Sequence, residues 1–263
     1  MEHGRLLIEA SPATGWWNMA LDETLLAAAT QGAAPSLRLY GWDGAWLSLG
    51  YAQRFDATAL DACRAVGVEV VRRVTGGRAV LHGADLTYAI AAPEALLPGG
   101  LEESYRALSD ALLAALRTLG IEAERAPGGR ARPAERADFD CFAEAATDEL
   151  CVGGRKLAGS AQRRAGGALL QHGSIRLADD PPAAARIAGT GRGATSLAGL
   201  GCDPVAARDA LLTALPRALA ERLGLPWADA ALAPEEHATA SRRAAALRRD
   251  PLARRTGPAS RAL

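Results

Sequence analysis

Lys156 is the only lysine in the chain, against 29 arginines. A sequence that has exchanged nearly every solvated lysine for arginine keeps one where guanidinium cannot serve. Lysine offers a compact ammonium on a flexible stem whose pKa burial can lower, whereas arginine is a wide fork that never deprotonates. The run Gly153-Gly154-Arg155-Lys156-Leu157-Ala158-Gly159-Ser160-Ala161 surrounds it with residues too small to fill a core, which leaves room for a ligand. Two thiols compete as its partner. If Gly153-Gly154 forms a two-residue hairpin loop, Val152 pairs with Arg155, and Cys151 sits directly across from Lys156 on the same face. Cys141 lies 15 residues before Lys156, where only tertiary folding brings it near. An ammonium beside a thiol lowers its pKa from about 8.5 and makes a nucleophile of it. Cys63, on an apolar helix face, belongs to the core.

A second set of residues suits the binding of an acidic or polar group. Arg72-Arg73-Val74-Thr75-Gly76-Gly77-Arg78-Ala79-Val80-Leu81-His82 joins two strands through paired glycines. Such glycines let backbone amides approach a phosphate or carboxyl closely while arginines supply charge. The segment is neither GxGxxG nor a P-loop, and it precedes a strand instead of a helix. Its plainer reading is an ordinary hairpin glycine pair, with His82 a satisfied structural histidine. Gly159-Ser160-Ala161-Gln162 and Gln171-His172-Gly173-Ser174 put small side chains beside polar ones on neighbouring strands. A sheet face built this way is a trough suited to a linear chain such as an acyl group.

The elements that must position these residues follow from periodicity. Leu21, Leu25 and Ala28 predict a helix over 16–31 that stops at Gly32, and 36–50 alternates as two strands of a hairpin. Asp56 caps a short helix through Val66. Strands are expected over 68–71, 78–82 and 85–92. Leu101, Tyr105, Leu108, Leu112, Ala115 and Leu119 mark one face of a long helix closed by Gly120. Residues 127–137 read as a mobile loop. Residues 149–152, 155–163 and 168–177 form a three-stranded antiparallel meander, and Asp203-Pro204 starts a helix to Leu223, bent at Pro216. The expected fold is α/β (α+β), a mixed, mostly antiparallel sheet flanked by helices, with a catalytic domain over 1–225 and a frayed or disordered Ala/Arg-rich tail over 226–263.

The 263 residues suffice for one such core. Positive and negative side chains balance at 30 each, so no global field favours nucleic acid or an anionic membrane. Cysteines at 63, 141, 151 and 202 form no CxxC pair, and the four histidines show no zinc-ligand spacing. A reduced cytoplasmic protein without structural metal, signal peptide or membrane anchor is expected.

Taken together, the motifs resemble the catalytic domain of the lipoate-protein ligases and octanoyltransferases, which is related in fold to biotin protein ligases. The resemblance runs from Asn18-Met19-Ala20-Leu21-Asp22-Glu23 through the Arg72–His82 segment, Leu86-Thr87-Tyr88, Cys141-Phe142, Gly154-Arg155-Lys156-Leu157-Ala158-Gly159-Ser160-Ala161-Gln162 and Leu170-Gln171-His172-Gly173-Ser174-Ile175. Gly-Gly-Arg-Ala-Val-Leu-His with a Cys-Phe pair before the lysine strand resembles the octanoyltransferases that use a cysteine acyl intermediate. Plain lipoate ligases more often carry a third glycine in the first motif. The resemblance implies that Cys141 is the acyl-thioester nucleophile and that Lys156 touches the acyl carbonyl, and it demotes Cys151. The expected substrate-binding residues are Arg72, Thr75, Gly76, Gly77, Arg78, Ala79, His82, Gly159, Ser160, Ala161, Gln162, His172 and Gly173, with the acyl tail along Thr75–Arg78, His82 and the Gly159–Gln162 strand. Ala143–Thr147 departs from the Pro, Ser and aromatic residues usual there.

The implied reaction is octanoyl (or lipoyl) transfer from acyl carrier protein to a lysine of a lipoyl-domain protein, such as the glycine-cleavage H protein, without a cofactor. The rivals are an ATP- and Mg2+-dependent lipoate ligase working through an acyl-adenylate, and a non-catalytic acyl-binding or carrier-docking module.

Overall fold

Caps and glycines mark the helices much as the spacing of apolar residues requires. The computed structural model describes residues 3–97, 99–126, 149–188 and 193–253; the expected loop over 127–137 and Cys141 lie outside them. Strand β1 (Gly4–Ile8) leads to α1 (Gly15–Thr30), which Thr14 opens by accepting the Trp17 N–H at 3.3 Å. Strands β2 (Ser36–Tyr40) and β3 (Ala45–Leu49) follow, then α2 (Ala57–Ala65), whose cap Asp56 accepts the Ala59 N–H at 2.8 Å. Next come β4 (Val68–Arg72), β5 (Val80–His82), β6 (Asp85–Pro93) and α3 (Leu101–Arg117). After β7 (Glu124–Arg125), the meander consists of β8 (Leu150–Val152), β9 (Arg155–Ala165) and β10 (Ala168–Arg176). Helices α4 (Pro182–Ala188) and α5 (Pro204–Leu223), strand β11 (Trp227–Asp229) and helix α6 (Pro234–Arg249) complete the described chain.

Eight strands make a central sheet in the order β11-β1-β2-β6-β10-β9-β8-β7, and three make a smaller one in the order β4-β3-β5. The pairs β11–β1 and β1–β2 are parallel, and every other neighbouring pair of the central sheet is antiparallel. The fold class is therefore the expected one. One face of the central sheet buries Leu37, Leu39, Leu86, Ile90 and Leu169 against Leu108, Leu112, Leu211 and Leu215 of α3 and α5. The other face meets α1 and α6 through Met19, Leu21, Leu25, Ala240 and Leu247. Cys63 is wholly buried with Leu47, Leu49, Val68 and Val70 in a third cluster against the small sheet, as its helix face suggested. Each such aliphatic side chain contributes about 1.5–3 kcal/mol.

Four expectations need correction. Residues 36–50 are not a hairpin: β2 takes β1 and β6 as neighbours, whereas β3 goes to the small sheet. Both faces of β2 are buried, and only a strand with partners on each edge satisfies its backbone there. The Thr75-Gly76-Gly77 segment is no hairpin turn either, since β4 and β5 each pair with β3 and not with each other. It crosses the end of β3 so closely that a Cβ on Gly50 would run into the Gly77 carbonyl oxygen. Leu101, placed on the core face of α3, is an exposed first-turn residue. The Ala/Arg-rich segment after 225 is not a tail over its described part. Trp227–Asp229 pairs with β1, and α6 seats Ala240 and Leu247 against α1. Glu236 holds it with a bidentate bridge to Arg5 at 2.7 Å. Composition hid an apolar pair seven residues apart, two turns along one helix face.

Candidate active site

Lys156 owes its direction to the turn that precedes it. Gly153 and Gly154 have φ of +55° and +74°, the pair of positive angles that a two-residue hairpin loop needs. Val152 then pairs with Arg155 and Cys151 with Lys156, the register expected from the glycines. The next pair is Leu150 with Ala158, so β9 carries one residue more than β8. Leu157 and Ala158 consequently both enter the aliphatic core beside Leu150. A bulge of this kind re-aims the side chain beside it. Lys156 turns to the opposite face, its N–H donating to the Gly193 carbonyl and its own carbonyl accepting the Thr195 N–H, each at 2.8 Å. Its side chain folds over Gly159, where an added Cβ would stand 2.9 Å from Cε and 3.0 Å from Nζ. The ammonium donates to the Glu149 carboxylate.

Lys156 and Glu149 form part of the wall of a cavity of about 150 Å³, set between the small sheet and the α1 side of the central sheet. Of the residues expected to bind substrate, Gly77, Arg78, Ala79, His82, Gly159, Ser160, Ala161, His172 and Gly173 line it. Arg72, Thr75, Gly76 and Gln162 do not. The Arg72 guanidinium is spent on the carbonyls of Gly50, Gln53 and Leu252 at 2.7–2.9 Å. Gln162 follows Ala161 by one residue, so strand alternation turns it toward α3, where it bonds Ser104 and Gln171. Gly76 is exposed, its carbonyl holding Arg73 at 2.7 Å. Cys151 is buried and is not among the described residues that line this cavity. The hairpin register is the expected one, but burial, together with the Glu149 carboxylate, pushes the Cys151 thiol up against the opposing pull of Lys156.

Two parallel chains of groups run from the wall inward, His172, His82 and Ser48 lining the cavity. Asp22 Oδ2 accepts from His172 Nδ1 at 2.9 Å, and His172 Nε2 meets the Thr75 hydroxyl at 2.6 Å. Asp85 Oδ2 likewise accepts from His82 Nδ1 at 2.9 Å, and His82 Nε2 meets the Ser48 hydroxyl at 2.8 Å. A carboxylate only accepts, so each imidazole donates from Nδ1 to its carboxylate, and a neutral ring, as burial keeps His172, accepts the hydroxyl hydrogen bond at Nε2. Arg73 spans both chains, its Nε donating to Thr75 Oγ1 at 3.1 Å and its Nη1 to Ser48 Oγ at 3.2 Å.

Burial holds His172 neutral by lowering its pKa against the pull of Asp22. Burial also opposes ionisation of Asp22, yet His172, Arg38 and Tyr40 together keep its carboxyl below the usual range. Asp85 is kept low against burial by His82, the Gly83 N–H and Ser174. Burial and Asp22 raise Tyr40 well above its ordinary value, so its hydroxyl remains a donor, at 2.8 Å from Asp22 Oδ2. Trp42 stacks on His82 at 3.9 Å and donates to Thr87 Oγ1 at 2.8 Å.

With these groups answering one another, the remaining wall is largely apolar and small: Met19, Trp42, Ala79, Val80, Ala161 and the glycines. Met19, Tyr40, Trp42, Ser48, Arg73, Val80, Thr87 and Glu149 were not foreseen as lining it, whereas Ser174 belongs to the expected trough. Asn18 and Asp22, one helical turn apart on a buried face of α1, were the available signal for the Asp22 cluster; Ser48 and Trp42 gave none. A cavity of about 150 Å³ holds a benzene-sized molecule. Cavity and ammonium together suit an enzyme that works at the carboxyl end of a short apolar chain.

The chain belongs to the lipoyl protein ligase A/B catalytic domain family, whose model matches residues 14–200. It is 42% identical over 239 residues to the octanoyltransferase LipM of Symbiobacterium thermophilum, covering 88% of this chain and 83% of that one. It is 44% identical over 184 residues to the octanoyltransferase LipM of Kyrpidia tusciae, 67% of each chain. Two solved structures share the fold. One is a lipoate-protein ligase A bound with ATP, with a TM-score of 0.75 and 24% identity over 92% of this chain and 94% of that one. The other is a bi-partite lipoate protein ligase from Thermoplasma acidophilum, with a TM-score of 0.71 and 23% identity over 93% of each. Among the described residues, no helix is long and apolar enough to cross a membrane.

Proposed function

We propose that this enzyme is an octanoyltransferase of protein lipoylation, moving the acyl group from the thioester of an acyl carrier protein, through a thioester on Cys141, to a lysine of a lipoyl-domain protein such as the glycine-cleavage H protein. The observation that carries the reading is the lone lysine, turned by a bulge into the wall of a small-lined cavity. Identity above 40% to octanoyltransferases supports it. The donor is already activated, so passing its acyl group to another thiol is nearly isoenergetic, and aminolysis to an amide is downhill. Neither ATP, a metal nor a resident cofactor is needed. The Lys156 ammonium serves as oxyanion partner in each tetrahedral intermediate, a contact worth about 3–4 kcal/mol when one donor is removed. We place the reaction in the cytoplasm, where a thiol stays reduced.

The test is to mix the enzyme with octanoyl carrier protein and apo acceptor, without ATP, and to follow intact masses. An octanoyl adduct on Cys141 that passes to the acceptor with ping-pong kinetics is expected. Product formed only from free octanoate plus ATP, unaffected by Cys141→Ser, would make the protein a ligase. No adduct and no product under either condition would make it a binding module.

A further inference from the structure

Arg72, expected at the substrate and found outside the cavity, is only 6% exposed, and its donors join two segments far apart in sequence. As the last residue of β4, it sends Nη1 to the carbonyls of Gly50 at 2.7 Å, Tyr51 at 3.3 Å and Gln53 at 2.8 Å. Its Nε donates to the Leu252 carbonyl at 2.9 Å. A guanidinium holds both because its donors are spread over a rigid fork, whereas an ammonium is a single point. Leu252 lies just past the end of α6. Its side chain packs on the cluster of Leu47, Cys63 and Val70, and its N–H donates to Asp250 Oδ1 at 3.2 Å. The carbonyl offered to Arg72 therefore comes from a fixed turn. The family domain matched above ends at residue 200, so this support comes from outside it.

The 50–53 turn in its place touches the cavity wall. The Tyr51 N–H donates to the Thr75 carbonyl at 2.8 Å, and Gly50 lies so close to the Gly77 carbonyl that a Cβ does not fit between them. Gly77 and Arg78 line the cavity, and Arg73 holds their stretch through the carbonyls of Gly76 and Arg78 at 2.7 Å each. A stretch with two adjacent glycines has little of its own to fix its conformation. What fixes it here is the grip of Arg73 and the contact of the turn that Arg72 holds.

We propose that Arg72 is a positioning residue for the acyl site: by tying the 50–53 turn to the segment after α6, it sets where the Gly77–Arg78 wall stands against the acyl tail. This role rests on the acyl reading of the cavity proposed above. A wall of this kind meets the tail in the ground state and in the transition state alike. Displacing it weakens binding of the donor and leaves the chemical step nearly unchanged, so the loss falls on KM and not on kcat.

The experiment compares full-length variants in steady-state transfer from octanoyl carrier protein. Arg72→Lys keeps a charge but not the fork, and should raise KM for the donor about tenfold while kcat and the KM for apo acceptor stay within about threefold. Arg72→Ala should raise the donor KM at least as much, and added ethylguanidinium should lower it again where ethylammonium does not. Gly50→Ala pushes on the Gly77 carbonyl with Arg72 intact and should raise the same KM. Leu252→Ala leaves its carbonyl in place and should keep the wild-type KM. Amide exchange in Arg72→Lys should quicken together at residues 50–53, 75–78 and 250–253, and stay slow within β3 and β4.

A wild-type donor KM in Arg72→Lys would overturn the proposal. So would a fall in kcat at unchanged KM, the mark of a smaller folded fraction, or equal rescue by both cations. If neither arginine variant folds, Gly50→Ala decides, and a wild-type donor KM there overturns the proposal too. A wild-type enzyme that takes no acyl group from the carrier removes the acyl reading, and this role with it; an Arg72→Lys enzyme at the native KM removes this role alone.

Discussion

The same three strands present two buried faces of opposite character. On the α3 and α5 side, β2, β6 and β10 contribute Leu37, Leu39, Leu86, Ile90 and Leu169. One residue along, on the α1 side, they contribute Arg38, Tyr40, Thr87, His172 and Ser174, and Arg38 is as inaccessible as Leu37. Depth therefore does not distinguish the faces; what differs is how each group is satisfied. An aliphatic face needs only filled volume, whereas the polar one persists because each group has a partner. Arg38 alone donates to Glu9, Asp22 and both oxygens of Asn18, at 2.6–3.1 Å. The polar face is also the one that opens into the cavity, so the part least tolerant of change is the part that holds the chemistry.

The sharpest test of that division removes chemistry without removing structure. Lys156→Ala should lower turnover by about 10²–10³-fold, with a melting temperature near wild type. Lys156→Arg should do nearly the same, because a planar fork cannot occupy the space over Gly159; an arginine variant at the native rate would break the argument. Stability should divide along the faces as well. Asp22→Ala leaves Arg38 with Glu9 alone as a carboxylate partner and strips His172 and Tyr40 of their acceptor, and should cost about 3–5 kcal/mol in urea unfolding. Leu37→Met, on the aliphatic face, should cost under about 1.5 kcal/mol, and equal losses would erase the distinction.

Glycines give a finer version of the comparison. Gly159→Ala pushes on Lys156 Cε and Nζ and should reduce turnover by about tenfold to a hundredfold at little cost in stability. Gly173→Ala meets the Tyr88 ring at 2.5 Å and Ser160 Oγ at 2.6 Å, and should destabilise by about 1–3 kcal/mol.

Acid should weaken the polar face first. Burial lowers the His172 pKa, so the unfolded chain binds a proton that the folded one refuses. Its contribution is complete above about pH 6.5 and is lost as pH falls from there through the depressed folded value. The depressed carboxyls of Asp22 and Asp85 add a loss that begins lower, below about pH 3.9. Melting temperatures between pH 7 and 5 should fall more steeply for wild type than for His172→Gln. The smallest effect is expected at Cys151, where Cys151→Val should leave turnover unchanged and stability within about 1 kcal/mol; loss of transfer there would restore it as the nucleophile.

Local rules explain what could be read in advance. Two glycines set the β8–β9 register, caps set α2 and α5, and apolar spacing set α1 and most of α3. Partners distant in the chain explain the errors. Nothing near residues 36–50 says that β2 pairs with β1 and β6 while β3 leaves for another sheet. The site failed on parity: Arg72 and Arg73 are adjacent, alternate residues of a strand point to opposite sides, and it is Arg73 that lines the cavity. Small residues around Lys156 marked that wall correctly because they leave space whatever lies opposite. Ser48, Trp42 and Glu149 became visible only once the sheets were brought together.

The seam between β1 and β11 also constrains how the chain can be made. Gly4 pairs with Trp227 and Leu6 with Asp229, so β1 waits during synthesis for a neighbour more than two hundred residues later in the chain. Its other neighbour, β2, arrives early, but β2 in turn needs β6. During synthesis β1 therefore keeps an open edge, and α1 lacks its α6 cover, until nearly all of the described chain has left the ribosome. Contacts of such long sequence separation slow folding, and an unpaired strand edge is an invitation to other chains. Yield of soluble protein should thus depend on residues 227–249 far more than their small size suggests.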